Sequence, residues 1–107
     1  MRAGGELRGS ASDRRARKMK LLLKFGTGIT CPCLLRIHPG CERQLSFGTL
    51  TVDRLIPGSA GGRYVWGNIL PACIRCNERR RDKPLRHVMS SRRVKTLMAR
   101  MEKAGAL

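Results

Sequence analysis

The sequence predicts an α+β fold in which short strands and one helix lie between a basic N-terminal helix and an amphipathic C-terminal helix. Three stretches carry this prediction. The segment "QLSFGTLTVDR" alternates apolar and polar residues with the period of a strand. The segment "ACIRCNERRRDK" has the composition of a helix, and "SSRRVKTLMARMEKAG" repeats apolar residues with a helical period. We divide the 107 residues into a basic arm and helix over 1–28, a central domain over 29–86 and a C-terminal helix over 87–107.

The first element is a basic helix. Residues 1–11 are rich in Gly, Ser and Ala without periodicity, which predicts a disordered arm. The helix is expected to begin at Ser12 or Asp13, since both are good N-caps, and to end at the glycines that follow Phe25. The apolar residues expected to face the domain are Met19, Leu22 and Leu23. The basic residues face either solvent or phosphates, and they are Arg14, Arg15, Arg17, Lys18 and Lys20.

The central domain is predicted to run strand, strand, helix. Apolar positions in the first part predict a bent hairpin interrupted at Gly48, and they are Leu45, Phe47, Leu50 and Val52. The segment "PGSAGG" forms a loop, and "YVWGNIL" is a short second extended segment. Pro71 is expected to open the helix and Pro84 to end it, because proline is favoured at the first helical position and cannot continue a helix.

The C-terminal segment predicts an amphipathic helix. A serine can cap its N-terminus, and Gly105 can stop it. Its apolar residues recur at three- and four-residue intervals, at Val94, Leu97, Met98 and Met101.

The net charge points to nucleic acid as the partner. The 23 Lys and Arg residues exceed the 7 Asp and Glu residues and give a formal charge of +16 at pH 7, which favours binding to a polyanion. No apolar run approaches the roughly 18 residues of a membrane-spanning helix. The N-terminus lacks the apolar stretch of a secretory signal, so we expect a cytoplasmic protein. One Trp, one Tyr and two Phe leave little bulk for a core, which implies that something else stabilises the fold.

The cysteines are interpreted as zinc ligands. An odd number of cysteines without an export signal argues against a disulfide framework. Cys73 and Cys76 form a C-x-x-C pair that can reach one tetrahedral ion, and such a pair needs two further ligands. The segment "CPCLLRIHPGC" offers four donors, namely Cys31, Cys33, Cys41 and His38. We favour Cys33 and Cys41 over a set that uses Cys31 or His38. Buried free thiols or a redox pair are the alternative.

The stretch "LTVDRLIPGSAGGRYVWGNILPACIRCNERRRDKP" resembles the HNH endonuclease family. Several residues coincide with the family pattern in order and spacing: Asp53, Pro57, Gly61, Gly62, Asn68, Pro71, Cys73, Cys76 and Asn77. The resemblance implies a zinc-stabilised ββα-metal fold, in which a hairpin and a helix hold one divalent ion and a zinc knuckle joins them. The small basic chain is similar to HNH proteins of bacteriophages and mobile elements, which work in the host cytoplasm.

The resemblance also implies a catalytic set of Asp53, Arg54, Asn68 and Asn77. Asp53 and Asn77 would hold Mg²⁺ or Mn²⁺ through oxygen atoms, and Asn68 would brace the loop. Turn capping is the alternative role for both asparagines.

Arg54 departs from the family pattern, because it stands where the family has the histidine that deprotonates water. A guanidinium has no capacity to accept a proton. Arg54 can clamp the scissile phosphate while another group takes the proton, and the candidates are His38, His87, Tyr64 or a metal-bound hydroxide. In a second interpretation the site binds nucleic acid without cutting it. In a third, Arg54 is an exposed strand residue that neutralises Asp53.

The run "NERRRDKPLRH" supplies cations for the DNA backbone. The residues expected to contact phosphates are Arg79, Arg80, Arg81, Lys83 and Arg86. The predicted partner is DNA, with RNA as an alternative, and no membrane is expected. A nuclease of this family can also work with packaging or recombination partners. The competing interpretation is a non-catalytic zinc-knuckle protein that binds nucleic acid.

Overall fold

The computed structural model describes residues 9–106, which form three helices and two small antiparallel sheets. The helices are α1 (Ala11–Phe25), α2 (Ile74–Arg80) and α3 (Ser91–Lys103). The strands are β1 (Thr30–Pro32), β2 (Gln44–Ser46), β3 (Leu50–Arg54) and β4 (Ile69–Cys73). Single 3₁₀ turns lie at Gly58–Ala60 and Leu85–His87. The α+β class is confirmed. Most of the predicted N-terminal arm, residues 1–8, lies outside the described residues.

Helix α1 begins two to three residues earlier than predicted. Ser10 is the N-cap, because its hydroxyl accepts from the Asp13 N–H while the Asp13 carboxylate accepts from the Ser10 N–H. The buried residues of the helix are Leu21, Leu22 and Phe25. The prediction was right for Leu22 but wrong for Met19 and Leu23, whose side chains are 53% and 63% exposed. The ring of Phe25 lies 6.1 Å from that of Trp66, on the inward face of the helix.

The alternating segment does not form one hairpin. β2 pairs with β1 in the register Thr30↔Ser46, and β3 pairs with β4 in the register Arg54↔Ile69. A turn through Gly48 separates the two sheets, so the glycine interruption marks a change of sheet rather than a bend.

The residues around the C-x-x-C pair differ from the predicted helix in both bounds. Pro71 lies inside β4 opposite Val52, and α2 begins only at Ile74, capped by the Cys73 sulfur, which accepts from the Cys76 N–H. The segment "YVWGNIL" becomes strand only from Ile69. The helix ends at Arg80, before Pro84, because Arg81 adopts a positive φ of 55°.

The C-terminal helix is confirmed. The Ser90 hydroxyl accepts from the Arg93 N–H and caps it, Leu97 and Met101 are buried, and the chain turns at Gly105, where φ is 76°. α1 packs against β1, β3 and β4, and it covers the centre of the core. Within residues 9–106, no helix is both long enough and apolar enough to cross a bilayer.

Candidate functional site

Four cysteines converge where β4 meets α2. The sulfur atoms of Cys33, Cys41, Cys73 and Cys76 all lie within 4.8 Å of one another. The Cys41 and Cys73 sulfurs are 3.9 Å apart, close to the roughly 3.8 Å edge of a tetrahedron with 2.3 Å Zn–S bonds. This cluster can bind a structural metal such as zinc, and it is the set that the spacing favoured.

Backbone N–H groups point at the sulfurs of this cluster. The Cys73 N–H donates to Cys33 Sγ at 3.3 Å, and the Ile37 and Cys76 N–H groups donate to Cys76 and Cys73 Sγ, both at 3.4 Å. Burial raises the pKa of Cys73, but the N–H donors, with Cys76 foremost, outweigh burial and hold that pKa below its usual value. Burial raises the pKa of Cys41 and of Cys76. Oriented N–H donors of this kind stabilise thiolate ligands.

The two substitutes for these ligands lie outside the cluster. Cys31 sits in β1 opposite Leu45, fully buried, and burial raises its pKa to about 11. His38 uses its Nδ1 to accept from the Gly40 N–H at 2.8 Å, which closes the turn before Cys41. Neither belongs to the four-sulfur group.

A cleft of about 520 Å³ runs along β3 and α2. Asp53 and Arg54 at the end of β3 line it, together with Asn77 of α2. Asn77 follows Cys76 directly in α2, so the metal cluster and the cleft share this helix.

Asp53 is held by a buried ion pair. Its Oδ2 accepts from Arg80 Nη1 at 2.9 Å, and its Oδ1 accepts from the Arg54 N–H at 2.8 Å. Burial raises the pKa of Asp53, and the Arg80 guanidinium opposes that effect. The Asp53 side chain is 10% exposed, and the residue lines the cleft.

Asn77 is oriented by a strand residue on the same face as Asp53. Its amide nitrogen donates to the Thr51 hydroxyl at 3.0 Å, and that hydroxyl donates to the Ala72 carbonyl at 2.6 Å. Thr51 and Asp53 are two residues apart in β3 and so project from one face of the strand. The Asn77 carbonyl oxygen is the atom left for a ligand.

The oxygen donors in the cleft fit a hard divalent ion. Asp53 and Asn77 offer a carboxylate and an amide oxygen, and Asp82 adds a second carboxylate to the cleft lining. Mg²⁺ is commonly bound by one or two carboxylates, with water and phosphate oxygens completing its shell. The donor set is therefore adequate, although Arg80 competes for Asp53 Oδ2.

Arg54 lies between the ring of Tyr64 and the glycine-rich loop. Its guanidinium carbon is 4.2 Å from the Tyr64 ring centroid, and its Nη1 donates to the Gly62 carbonyl at 3.4 Å. A Cβ at Gly58 would approach the guanidinium to 2.8 Å, so the glycine leaves room for it. The side chain is thus held at the cleft wall, with its planar face on an aromatic ring.

Asn68 is a brace for the loop and does not line the cleft. Its Oδ1 accepts from the Ile56 N–H at 2.8 Å, and its Nδ2 donates to the Ile56 and Arg63 carbonyls at 3.1 and 2.9 Å. The side chain therefore ties both sides of the loop that carries Pro57 to Gly62.

Helix α1 forms the second wall of the cleft. Arg14, Arg17 and Lys18 line the cleft opposite the strands, and Arg17 lies 5.2 Å from the Tyr64 ring. Arg54 and Arg81 bring the cations in the lining to five, against the carboxylates of Asp53 and Asp82. Because Asp53 is neutralised by Arg80, the cleft attracts anions.

The remaining predicted residues are divided by their exposure. Arg79, Arg81, Lys83 and Arg86 are exposed, and among them Arg81 lines the cleft. Neither His38 nor His87 lines the cleft, whereas Tyr64 does.

Arg80 differs from its prediction as a phosphate contact. Its side chain is fully buried, and its guanidinium donates to Asp53 and to the carbonyls of Arg54, Leu55 and Lys83. No nitrogen remains for a phosphate, so this arginine joins α2 to the end of β3 instead.

Sequence periodicity contained a signal for this burial. Cys73, Cys76, Asn77 and Arg80 follow one another at intervals of three, one and three residues, which places them on one face of a helix. Arg14, Arg17, Lys18 and Leu21 show the same spacing in α1. A basic residue in phase with buried neighbours is thus expected to point inward or along the cleft.

Residues 40–90 match the family model described as HNH endonuclease. This range contains β3, α2, Asp53, Asn77 and three of the four clustered cysteines. The resemblance read from the sequence is confirmed over these residues. Comparisons with curated proteins and with solved structures found no significant match.

Proposed function

We propose that this chain, whose residues 40–90 form an HNH endonuclease domain, is a metal-dependent nuclease that hydrolyses phosphodiester bonds in DNA. The observation that carries the proposal is that Asp53 and Arg54 of β3 line one cleft with Asn77 of α2, a residue far from both in sequence. The HNH domain implies a nucleic-acid substrate. The five cations of the cleft lining suit its phosphate backbone.

The chain's own residues would bind and orient the scissile phosphate. Arg54 is held by Tyr64 and Gly62, so its fork can donate to the non-bridging oxygens, where negative charge grows in the transition state. Arg14 and Lys18 would bind the neighbouring phosphates from the opposite wall. Asp53 and Asn77 would hold a divalent ion, which when bound neutralises the phosphoryl oxygens and activates water.

The proton of the attacking water needs an acceptor other than Arg54. Asp82 is a carboxylate in the same cleft, and its side chain is not part of the Asp53–Arg80 pair. We assign proton acceptance to Asp82. In this scheme the water oxygen bonds to phosphorus and one of its protons passes to Asp82. The bond from phosphorus to the leaving oxygen breaks, and that oxygen takes a proton from bulk water.

Zinc is the proposed occupant of the cysteine cluster. Four sulfurs within 4.8 Å of one another and the N–H donors around them suit Zn²⁺ better than a hard ion, which prefers oxygen. In this small chain the metal would supply folding free energy and fix the angle between β4 and α2.

A non-catalytic nucleic-acid-binding protein is the second candidate. It is favoured by the Asp53–Arg80 pair, because a guanidinium already neutralises the proposed metal ligand, and by Arg54, which cannot accept a proton. The two candidates share the cleft and the zinc cluster but differ in the need for oxygen ligands.

Plasmid nicking distinguishes the two candidates. The full chain is incubated with supercoiled DNA in Mg²⁺, Mn²⁺ or EDTA, beside variants Asp53→Asn, Asp82→Asn and Arg54→His. Asp53→Asn is preferred to Asp53→Ala because the amide can still accept from Arg80. Glu78→Gln, which removes an exposed carboxylate from α2, is the matched control.

The nuclease predicts metal-dependent nicking that both Asp variants abolish and that Glu78→Gln retains. Arg54→His is expected to preserve or raise cutting, since imidazole can accept a proton. DNA binding without nicking under any metal would establish the second candidate. An RNA of the same sequence tests the substrate class. A bacteriophage or mobile-element origin, packaging or recombination partners and a cytoplasmic location stay predictions.

A further inference from the structure

A second basic surface runs along helix α3 and shares no lining residue with the cleft. Arg92, Thr96, Arg100 and Lys103 are spaced by four, four and three residues, so they lie on one face of the helix. Two grooves border this face and meet at Arg100, which lines both of them. We call the cations of the two grooves the α3 stripe, and they are Lys24, Arg36, Arg92, Arg93, Arg100 and Lys103.

The first groove, of about 220 Å³, lies beside the metal cluster. Cys33 contributes to its lining, and Arg36 and Arg93 are fixed at its edges by donating to the carbonyls of Cys33 and Leu35. The second groove, of about 450 Å³, lies between α3 and the end of α1, where Lys24 and Phe25 line it. Both grooves are therefore framed by groups that the fold holds in place.

The charge of the stripe is not compensated within the described residues. No acidic residue of the described chain lines either groove. Within residues 9–106, the salt bridge found is that of Arg80 with Asp53, so no stripe cation is in an ion pair there. Several like charges this close together raise the folding free energy unless an anion binds them.

The dimensions of the stripe suit a nucleic-acid backbone. Arg92 and Lys103 are eleven residues apart, which corresponds to about 16 Å along the helix. At about 3.4 Å per base pair this length faces about five steps of a duplex. Lys24 also lies six residues after Lys18 in α1, so the second groove and the cleft are about 9 Å apart along that helix.

We propose that the α3 stripe is a second phosphate-binding surface, which holds duplex DNA outside the segment that enters the cleft. The identity of the partner as DNA rests on the proposed function. The observations that indicate an anion-binding surface are independent of that function. They are the cations and the absence of acidic lining residues within the described chain. All six cations of the stripe lie outside residues 40–90, so the stripe is an addition to the matched domain.

Salt-dependent binding tests this surface. Fluorescence anisotropy measures the affinity of the full chain for a 24-base-pair and an 8-base-pair duplex, at several KCl concentrations without added divalent ion. The stripe variant is Arg92→Gln, Arg100→Gln, Lys103→Gln. The control variant, Arg15→Gln, Arg43→Gln, Lys95→Gln, removes the same charge from exposed positions that line neither the cleft nor the α3 grooves.

On the long duplex, log affinity falls with log salt. We expect the stripe variant to make this fall shallower, reducing the magnitude of the slope by about 2 to 3, since each lost phosphate contact reduces it by about 1. The control is expected to lower it by less than about 1. On the short duplex the two variants should have equal slopes, because a duplex of this length is bound by the cleft and does not reach the stripe. Equal slopes for both variants on the long duplex overturn the proposal.

The nicking assay separates the two proposals. If the chain never nicks DNA but the stripe variant alone has a weaker salt dependence of binding, the proposed surface stands and the proposed nuclease activity is rejected. Nicking by a chain whose stripe variant matches the control would retain the nuclease and reject the surface.

Discussion

Arg80 of α2 and Asp53 of β3 form a buried ion pair, with Nη1 and Oδ2 2.9 Å apart. The same guanidinium donates to the Leu55 and Lys83 carbonyls at 2.8 and 2.9 Å, and to the carbonyl of Arg54. The Arg80 side chain thus donates hydrogen bonds to the end of β3, to the turn after α2 and to the carboxylate proposed as a metal ligand.

Removing this arginine is expected to destabilise the fold strongly. Arg80→Met leaves the buried Asp53 carboxylate without its partner, and breaking such a pair costs about 3–5 kcal/mol. Urea unfolding of Arg80→Met and of the exposed neighbour Arg79→Met measures the effect. Arg79→Met should stay within about 0.5 kcal/mol of wild type. A small, equal change in both variants would contradict a stabilising role for the pair.

The cysteine cluster is expected to carry one zinc ion per chain. Cys73→Ser removes a ligand from the centre of the cluster, so we expect zinc to be lost and the cooperative unfolding transition with it. Cys31→Ala is the control, since Cys31 is buried but lies outside the four-sulfur group. Elemental analysis and thermal melting are the measurements. Equal zinc content in the two variants would mean that Cys73 is not a ligand.

Gly62 is expected to be intolerant of any side chain. A Cβ at Gly62 would come within 1.6 Å of the Ile56 carbonyl oxygen and 2.9 Å of Asn68 Nδ2, so the loop would have to move. Overpacking of this kind costs about 1–3 kcal/mol, and it would also displace the carbonyl that binds Arg54.

Gly48→Ala is the matched control for Gly62→Ala, because nothing lies within 4 Å of a Cβ there. We expect urea unfolding to detect a loss for Gly62→Ala alone. A Gly62→Ala protein as stable as the control would show that the loop yields to the added methyl group.

The capping box of α1 is expected to act across the whole neutral range. The Ser10 N–H bond, and then the Ser10 hydroxyl, hold the pKa of Asp13 below its usual value of 3.8. A lowered acid pKa stabilises the folded state fully above pH 3.8, and this contribution is lost as the pH falls through the folded value. NMR titration of the Asp13 carboxyl in the full chain should show the lowered pKa.

Ser10→Ala should return the Asp13 pKa towards its usual value and lower the melting temperature by an amount that is constant between pH 5 and 8. An identical Asp13 pKa in the two proteins, or a difference in melting temperature that varies over this range, would contradict the capping interaction.

The C-x-x-C pair was predictable because its spacing is a local property. Spacing alone left Cys31 and His38 as substitutes for the other two ligands, and the fold is what brings Cys33 and Cys41 to Cys73 and Cys76. The C-terminal helix was predictable for the same reason, since a serine cap, apolar periodicity and Gly105 all act within a few residues.

Other features depend on contacts between distant segments. Three consecutive leucines permit several helix faces in α1, and the face is selected by contacts with distant segments, namely β1, β3, β4 and the ring of Trp66. Helical spacing from Cys76 and Asn77 favours Arg80 as the inward residue of "RRRDK", but its partner could not be found locally, because Asp53 lies 27 residues upstream. Pro71 lies in a strand because it pairs with Val52 of β3. The rule that places proline at the start of a helix does not take such a distant partner into account.

The inward face of α1 both lines the cleft and closes the core. Arg14, Arg17 and Lys18 on that face line the cleft, and Leu21, Leu22 and Phe25 on the same face close the core. A ligand that binds the cations of this face therefore also affects the packing of its apolar residues. A phosphate backbone bound in the cleft would therefore hold the helix against the core and raise the melting temperature.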